Sequence, residues 1–413
     1  MLHLNKIYLK SVFMLVIIIL TMLSHVLNIG FIGEFIYIWA VFYLVIIGVK
    51  RNRLNKIHIK ILFLLILILM IGIIGNLLAI YKPPFKGIVM DIVNFTKLPV
   101  CFISFSLFWD NTSFIVKEDT MHMITLFAKI FTAIAFLSLI LNFILPIGMG
   151  DDIRYGIESF KFIYDSAAWL NQYWIFIVIV LFASISLNRK NSTFLFLALI
   201  VWSFTLRSRA IALVFITVLI YLIITKKQYV DDFKKRFFKK RYIISIIILM
   251  GILGLSSIKK YFLGIKVTAR ELLLENGITI MKDYFPFGSG LATYGTEAAK
   301  KFYSPLYHEY NLSSFWALKE NGTELTDTFW PAVGAQIGFF GLLLYICLIV
   351  TIFKYCIYNT RKSPFFFGSV IIYGIYLFVS STATGIFFSD LTAIFITVIC
   401  LFISLEKGRN FNK

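Results

Sequence analysis

The sequence predicts an all-α polytopic membrane protein with about twelve transmembrane helices and one large, partly helical extracytoplasmic loop. Hydrophobic residues make up 60% of the 413 positions and charged residues only 15%, which is too little polar surface for a soluble domain of this length. The apolar residues come in blocks of membrane-spanning length. Short segments of alternating hydrophobicity are absent from the sequence, which argues against a membrane β-barrel.

The apolar blocks predict the helices in chain order, each close to the length that crosses a bilayer. They lie at 8–28, 31–49, 61–80, 93–109, 123–147, 171–188, 192–206, 209–225, 242–258, 330–353, 365–381 and 386–405. The first block continues into the second without a small-residue cleavage site, which indicates a retained helix and not a signal peptide.

The net charge of +19 sits mostly in short loops between the apolar blocks. This placement favours membrane orientation and contact with anionic lipid over nucleic-acid binding. With twelve helices and a cytoplasmic N-terminus, every basic cluster falls on the cytoplasmic side. The clusters lie at 50–60, 189–190, 226–241, 354–362 and 407–413. The chain then divides into helices one to nine (1–258), the large outer loop (259–329), and the last three helices with a basic cytoplasmic tail (330–413).

Four arginines fall on the outer face in this topology. Arg207 and Arg209 flank a tight turn between two apolar blocks, Arg154 lies in a short loop, and Arg270 opens a predicted helix at 269–276. Each has a local interpretation, such as a contact with lipid phosphate or a salt bridge to a neighbouring acid. Together they suit a diphosphate, because each guanidinium can donate two parallel hydrogen bonds to phosphate oxygens.

The large loop carries eight Lys or Arg and eight Asp or Glu, and two candidate proton acceptors. Asp327 is the first candidate, although an Asp just before a helix is often an N-cap. His308 is the second, and a lone loop histidine is more often an ordinary polar residue. The glycine-rich stretch 286–295 predicts a tight, ordered turn. It lacks the strand-to-helix context of a dinucleotide site.

The sequence predicts no metal or cofactor site. The four cysteines lie in or beside apolar segments without ligand spacing, and the Asp151-Asp152 pair has no companions. Serine-nucleophile and phosphate-loop motifs are absent from the sequence.

Four groups of short motifs follow one another along the chain. They are Arg154-Tyr155-Gly156, Leu206-Arg207-Ser208-Arg209-Ala210, Arg270 followed by Asp283 and 286–290, and Thr326-Asp327 followed by 336–341. In this order and topology they resemble motifs of the O-antigen polymerase and ligase superfamily, specifically Wzy-type polymerases of O-antigen or capsular polysaccharide. A basic cytoplasmic hairpin before a long outer loop and a few closing helices is similar to the family's layout. Ligases of the family typically carry His-Asn at the loop exit, where this chain has Thr326-Asp327, and this favours a polymerase.

The resemblance implies polymerisation of oligosaccharides linked to undecaprenyl diphosphate, at the outer face of a bacterial cytoplasmic membrane. The implied partners are this lipid-linked oligosaccharide, membrane lipid, a chain-length-regulating co-polymerase and a flippase. Arg209 and Arg270 would stabilise the leaving diphosphate, with Arg207 and Arg154 as supporting contacts and no metal. Asp327, or His308 in second place, would accept the proton of the attacking hydroxyl.

Three alternatives remain open from the sequence. A flippase of the same lipid-linked oligosaccharide also needs about a dozen helices, but such transporters usually carry charges within the bundle and short loops on both sides. In this chain we expect the charges to avoid the helix centres and the extramembrane residues to concentrate in one outer loop. An O-antigen ligase lacks its expected His-Asn here. A non-catalytic membrane scaffold does not explain the outer arginines.

Overall fold

The computed structural model describes residues 2–49, 54–145, 147–225 and 267–411, and these are mostly helical. The predicted helix 242–258, the basic segment 226–241 and the start of the predicted loop at 259–266 lie outside the described residues. The described helices are α1 Leu2–Leu23, α2 Ile32–Val49, α3 Lys56–Leu78, α4 Phe85–Asp110, α5 Phe114–Ile144, α6 Ala167–Ser184, α7 Asn191–Ser203, α8 Ser208–Thr225, α9 Ala269–Asp283, α10 Glu297–Lys301, α11 Leu306–Glu309, α12 Trp330–Thr360, α13 Pro364–Ser381 and α14 Asp390–Phe411.

Eight helices in the described part are long and apolar enough to cross a membrane, namely α3, α4, α5, α6, α8, α12, α13 and α14. Three further helices, α1, α2 and α7, contain shorter apolar segments. Large apolar side chains point outward from the bundle, for example Phe63 and Leu77, which are 60% and 71% exposed. A water-soluble bundle would bury such side chains, so these helices are those of a membrane-embedded protein. The total of twelve spans stays a prediction.

The helices differ in how much of their apolar surface the bundle covers. Within the most apolar stretch of each helix, the buried share is 89% in α14 and 83% in α6. The corresponding share is 33% in α8 and 39% in α3 and α5. Helices α6 and α14 therefore form the centre of the bundle. Helices α3, α5 and α8 lie at its periphery, where lipid would cover the remaining apolar surface.

Several predicted boundaries were wrong because charged residues interrupt the apolar pattern. Helix α4 begins at Phe85 and not at 93, and α5 begins at Phe114 and not at 123. The extensions contain Asp91 and Lys117, which are 0% and 7% exposed. Buried ionisable residues lower the hydropathy of a helix end without shortening the helix, and Asp91 has hydrogen-bond partners elsewhere in the fold, at Ala292 and Thr296.

The predicted outer loop 148–170 contains a β-hairpin that the sequence did not predict. Strand β1 (Gly150–Arg154) pairs antiparallel with β2 (Ile157–Phe160). The two residues of the turn, Tyr155 and Gly156, have φ values of 53° and 78°, as in the two-residue turns that match the twist of a hairpin. Strands of five and four residues are too short to give a clear alternating pattern.

Residues 267–329 fold into a unit with its own apolar core, which includes the buried side chains of Leu273, Tyr294, Tyr307 and Leu318. Helix α9 starts with a capping box, in which Thr268 and Glu271 each accept a hydrogen bond from the other's backbone N–H. It continues to Asp283, beyond the predicted end at 276, and packs against α12.

Hydrogen bonds gather the connecting segments at one end of the bundle, called the loop end below. It comprises the hairpin 150–160, the turn 204–207 and the unit 267–329. Ala167 N at the start of α6 donates to Asp151 Oδ2 at 2.8 Å, and Trp330 Nε1 at the start of α12 donates to Ser381 Oγ at the end of α13 at 2.9 Å. At the opposite end, Lys407 bonds the Asp110 carboxylate at 3.0 Å.

Candidate functional site

Arg270 and Asp327, two residues singled out from the sequence, form an ion pair at the loop end. Arg270, in the first turn of α9, donates from a terminal nitrogen to Asp327 Oδ2 at 2.7 Å. The two side chains are only 17% and 26% exposed. Asp327 is not the N-cap of α12, because that position is Phe329. Of the two neighbouring acids that could have paired with Arg270, Glu271 and Glu275, Glu271 instead completes the capping box of α9.

A second carboxyl, Glu324, lies beside this pair. Partial burial raises the pKa of Glu324, the negative charge of Asp327 raises it further, and the positive charge of Arg270 opposes both. The net shift is upward. The backbone also joins the two acids, since Asp327 N donates to Glu324 O at 3.1 Å. Arg270 thus lies near two carboxyl groups. Of these, Glu324 binds a proton more readily than an ordinary glutamate does.

Arg154 and Arg207, from different loops, share the aspartates of the hairpin. Arg154 Nε lies 2.7 Å from Asp152 Oδ2, and an Arg207 nitrogen lies 3.2 Å from Asp151 Oδ2 and 3.4 Å from Asp152 Oδ1. The contact of Arg154 with Asp152 is the local salt bridge considered as an alternative. The same carboxylates also hold Arg207, so two arginines far apart in sequence meet on one acidic pair.

Asp152 is held in its charged form. Partial burial raises its pKa, but hydrogen bonds from Ser159 and Arg154 and the charges of Arg207 and Arg154 outweigh that effect and lower the pKa overall. The Ser159 hydroxyl donates to Asp152 Oδ1 at 2.6 Å. The arginines are therefore paired with an ionised carboxylate at neutral pH.

Arg209 lies in the first turn of α8, which packs against α13. Its charge lies within Coulombic range of the Tyr376 phenol on α13. Further along α13, Ser381 accepts the hydrogen bond from Trp330. Trp330 follows Asp327 by three residues in the sequence. The last turns of α13 thus connect the surroundings of Arg209 with those of the Arg270–Asp327 pair.

His308, the second candidate proton acceptor, is exposed on the short helix α11. Its ring packs edge-on against Tyr303, with ring centroids 5.2 Å apart. Within the described ranges it makes no hydrogen bond or ion pair with any of the four arginines. The structure thus pairs Asp327 with Arg270, whereas the described contacts of His308 include none with the arginines.

The two glycine motifs noted in the sequence pack directly against each other. Ser289 N donates to Ala335 O at 2.8 Å, and Gly290 N donates to Gln336 O at 2.9 Å. These carbonyls are free because α12 is interrupted at Gly338, which has φ 64° and ψ −173°. A Cβ on Gly338 would lie 2.2 Å from Pro286 O, so only glycine allows this approach. The glycine-rich stretch therefore serves as a docking segment for the broken helix.

Asn76 and Asp91 anchor the same stretch from the membrane helices, and sequence reasoning missed both. The Asn76 amide donates to Leu291 O and accepts from Leu291 N, both at 2.9 Å. Asp91 Oδ2 accepts from Ala292 N and from the Thr296 hydroxyl, both at 2.8 Å. The available signal was a polar residue inside or just before an apolar block, which is unusual in a membrane helix.

Among the described residues, no group of three or more His, Cys, Asp or Glu side chains could hold a metal ion. The arginines and carboxylates described above are charged groups of the loop end that a ligand could contact. Such a site can bind an anionic group through the guanidiniums and can exchange protons through the carboxyls.

No protein-family model matches the chain, and no curated protein is significantly similar to it. A functional interpretation therefore depends on the residues and contacts described above.

Proposed function

We propose that the chain is a glycosyltransferase that polymerises undecaprenyl-diphosphate-linked repeat units into O-antigen or capsular polysaccharide at the outer face of a bacterial cytoplasmic membrane. The observation that carries the proposal is the position of the four arginines, all at the loop end of the bundle. Two of them meet on the hairpin aspartates, and a third is paired with Asp327. An end of a transmembrane bundle lies at a membrane surface, and the diphosphate of a lipid-linked substrate lies at a membrane surface as well.

The arginines supply what departure of a diphosphate requires. Negative charge grows on the leaving oxygen as the bond to the anomeric carbon breaks, and preset guanidiniums stabilise that charge. Asp151, Asp152 and Asp327 hold three of these arginines in place. An entering diphosphate would replace the carboxylates as their partner, so the side chains need little reordering.

In the transfer step, the oxygen of an acceptor hydroxyl bonds to the anomeric carbon of the donor. The bond between that carbon and the phosphate oxygen breaks, and the diphosphate leaves with the electron pair. The hydroxyl proton passes to Asp327, whose carboxyl lies against Arg270. The exposed His308 is the second choice for this role. A single displacement of this kind would invert the anomeric configuration.

Transport of the same lipid-linked unit is the second candidate function, and one observation favours it. The buried ammonium of Lys97 in α4, whose side chain is 6% exposed, lies 2.5 Å from Asp390 at the start of α14. The sequence-based expectation that charges avoid the bundle was wrong at this pair. Charged pairs inside a helix bundle often line transport routes.

Deletion of the gene in its host, followed by gel analysis of surface polysaccharide, separates the candidates. A polymerase mutant retains a single repeat unit on the outer acceptor and loses the ladder. Polymer that persists on the lipid carrier without reaching its final acceptor identifies a ligase, and repeat units retained on the cytoplasmic side identify a flippase. Complementation with Arg270→Ala should fail, whereas Arg189→Ala, at the opposite end of the bundle, should restore the ladder.

A further inference from the structure

His25 lies in a different place from the one predicted. The sequence assigned it to a helix at 8–28, but α1 ends at Leu23 and His25 occupies the turn that follows. Its Nδ1 is buried, lacks a hydrogen bond among the described residues, and lies 3.4 Å from Asp165 Oδ2. The His25 side chain is 18% exposed, whereas that of Asp165 is 80% exposed. The imidazole therefore sits beneath an accessible carboxylate.

Trp169 completes this group from the first turn of α6. Its ring centroid lies 4.2 Å from that of His25, and the residue remains 38% exposed. Behind it, Tyr173 stacks on Tyr164 with ring centroids 4.9 Å apart, and the Tyr173 and Ser24 hydroxyls lie 3.1 Å apart. Trp169 is the exposed outer member of an aromatic column whose inner members are buried.

The start of α6 links this group to the ion pair between Asp151 and Arg207. Asp165 lies two residues before Ala167, a distance of at most about 7 Å along the backbone. The Ala167 N–H donates to Asp151 Oδ2 at 2.8 Å, and the same oxygen lies 3.2 Å from Arg207. A ligand on Trp169 would therefore lie beside a diphosphate held by Arg207.

We propose that Trp169, His25 and Asp165 form a subsite for a sugar ring of the acceptor oligosaccharide. A sugar presents an apolar C–H face, which suits the exposed indole, and hydroxyl groups at its edge, which can donate to the Asp165 carboxylate. The role as acceptor subsite rests on the proposed function, but sugar binding by this group does not. It differs from a lipid-anchoring tryptophan, which needs no neighbouring carboxylate.

The test uses the full-length protein in lipid nanodiscs and the repeat-unit oligosaccharide released from the host polysaccharide, labelled with a fluorophore. Trp169→Ala should weaken binding about tenfold or more, as truncation of an aromatic anchor commonly does, and Trp169→Phe should retain most of it. Asp165→Asn should also weaken binding and, at an exposed position, should leave the fold intact. The matched control is Trp316→Ala, because Trp316 is 68% exposed outside this group.

The subsite would be overturned if Trp169→Ala and Asp165→Asn bound the oligosaccharide with the affinity of the wild type. It would also be overturned if the wild type did not bind the oligosaccharide. Polymer synthesis by the same preparations tests the proposed function separately. If the wild type binds the oligosaccharide and makes no polymer, the polymerase assignment fails while the sugar site stands. If the wild type polymerises and the two variants bind normally, only the subsite is wrong.

Discussion

Arg270 and Asp327 are joined by a 2.7 Å hydrogen bond across 57 residues of sequence. The pair ties the first turn of α9 to the segment that leads into α12, so it joins the two ends of the unit 267–329. It also combines a diphosphate-binding group and a proton acceptor of the proposed reaction in a single contact. Structural and chemical roles at this pair can be separated by substitution.

Arg270→Ala and Asp327→Asn should each reduce polymer synthesis by about 10²-fold or more, the range found when a preset electrostatic stabiliser is removed. The exchange of both charges, Arg270→Asp with Asp327→Arg, recreates an ion pair, so the protein should be present in the membrane at the wild-type level. The exchanged protein should not make the ladder, because the guanidinium is then at position 327 and the carboxylate at position 270, so the diphosphate-binding group and the proton acceptor have changed places. Immunoblots and polysaccharide gels measure the two effects, and a normal ladder from the exchanged pair would contradict the assignment.

Asp152→Asn should strengthen binding of inorganic diphosphate at pH 7. The substitution releases Arg154 and Arg207 from a competing carboxylate, and a partly exposed ion pair of this kind is worth about 0.2–1 kcal/mol, or roughly 1.4- to 5-fold in affinity. Glu158→Gln, in the same hairpin, is the matched control and should bind like the wild type. Weaker binding by Asp152→Asn would show that positioning of the arginines by this carboxylate outweighs its competition with the anion.

The contribution of Asp152 to stability should depend on pH. Its pKa is lowered in the folded protein from an ordinary value of 3.8, so ionised Asp152 stabilises the fold above that value. This contribution is lost as the pH falls from about 3.8 through the lowered pKa. The difference in Tm between the wild type and Asp152→Asn should be constant from pH 7 to pH 5 and should shrink below pH 4. A difference that grows on acidification would contradict the ion pairing described here.

Gly338→Ala should destabilise the protein more than an alanine at another glycine with positive φ. The added Cβ would lie 2.2 Å from Pro286 O, so the backbone of one of the two glycine motifs would have to move. Gly148→Ala separates this clash from the cost of positive φ, because Gly148 has φ 78° and no atom within 4 Å of an added Cβ. We expect about 1 kcal/mol for Gly148→Ala and a larger loss for Gly338→Ala. Equal melting temperatures of the two variants would contradict the close packing.

Asn76→Ala should release the glycine-rich stretch from α3. The substitution leaves Leu291 N and O buried without their side-chain partner, at a cost of about 1–3 kcal/mol for each group. Limited proteolysis should then cleave within 286–295 faster than in the wild type. Asn359→Ala removes only a local bond to Tyr355 O within α12 and should leave the cleavage rate unchanged. Unchanged proteolysis of Asn76→Ala would show that the remaining contacts suffice.

The sequence was informative where one physical property decides the structure. Uninterrupted hydropathy predicted α13 at 365–381, and the structure begins it one residue earlier, at Pro364. The arginines at predicted loop positions were predicted to lie on one face of the membrane, and the structure places all four at the loop end. Each of these predictions used a local pattern whose meaning does not depend on distant residues.

Features that depend on tertiary partners could not be predicted in this way. Asp91 belongs to a membrane helix because Ala292 and Thr296, about two hundred residues away, satisfy its carboxylate. The pairing of Arg207 with Asp151, 56 residues apart, likewise has no signature at either position. A single sequence records which groups need partners, and the fold determines which partners they find.

Reconstitution of the purified protein in proteoliposomes with the lipid-linked repeat unit tests the polymerase assignment most directly. We predict a ladder of products with release of undecaprenyl diphosphate, and neither product from Arg270→Ala at the same protein density. Substrate that stays covalently unchanged in the presence of folded wild-type protein would contradict the account. Movement of the unchanged unit across the bilayer would assign the protein to transport instead.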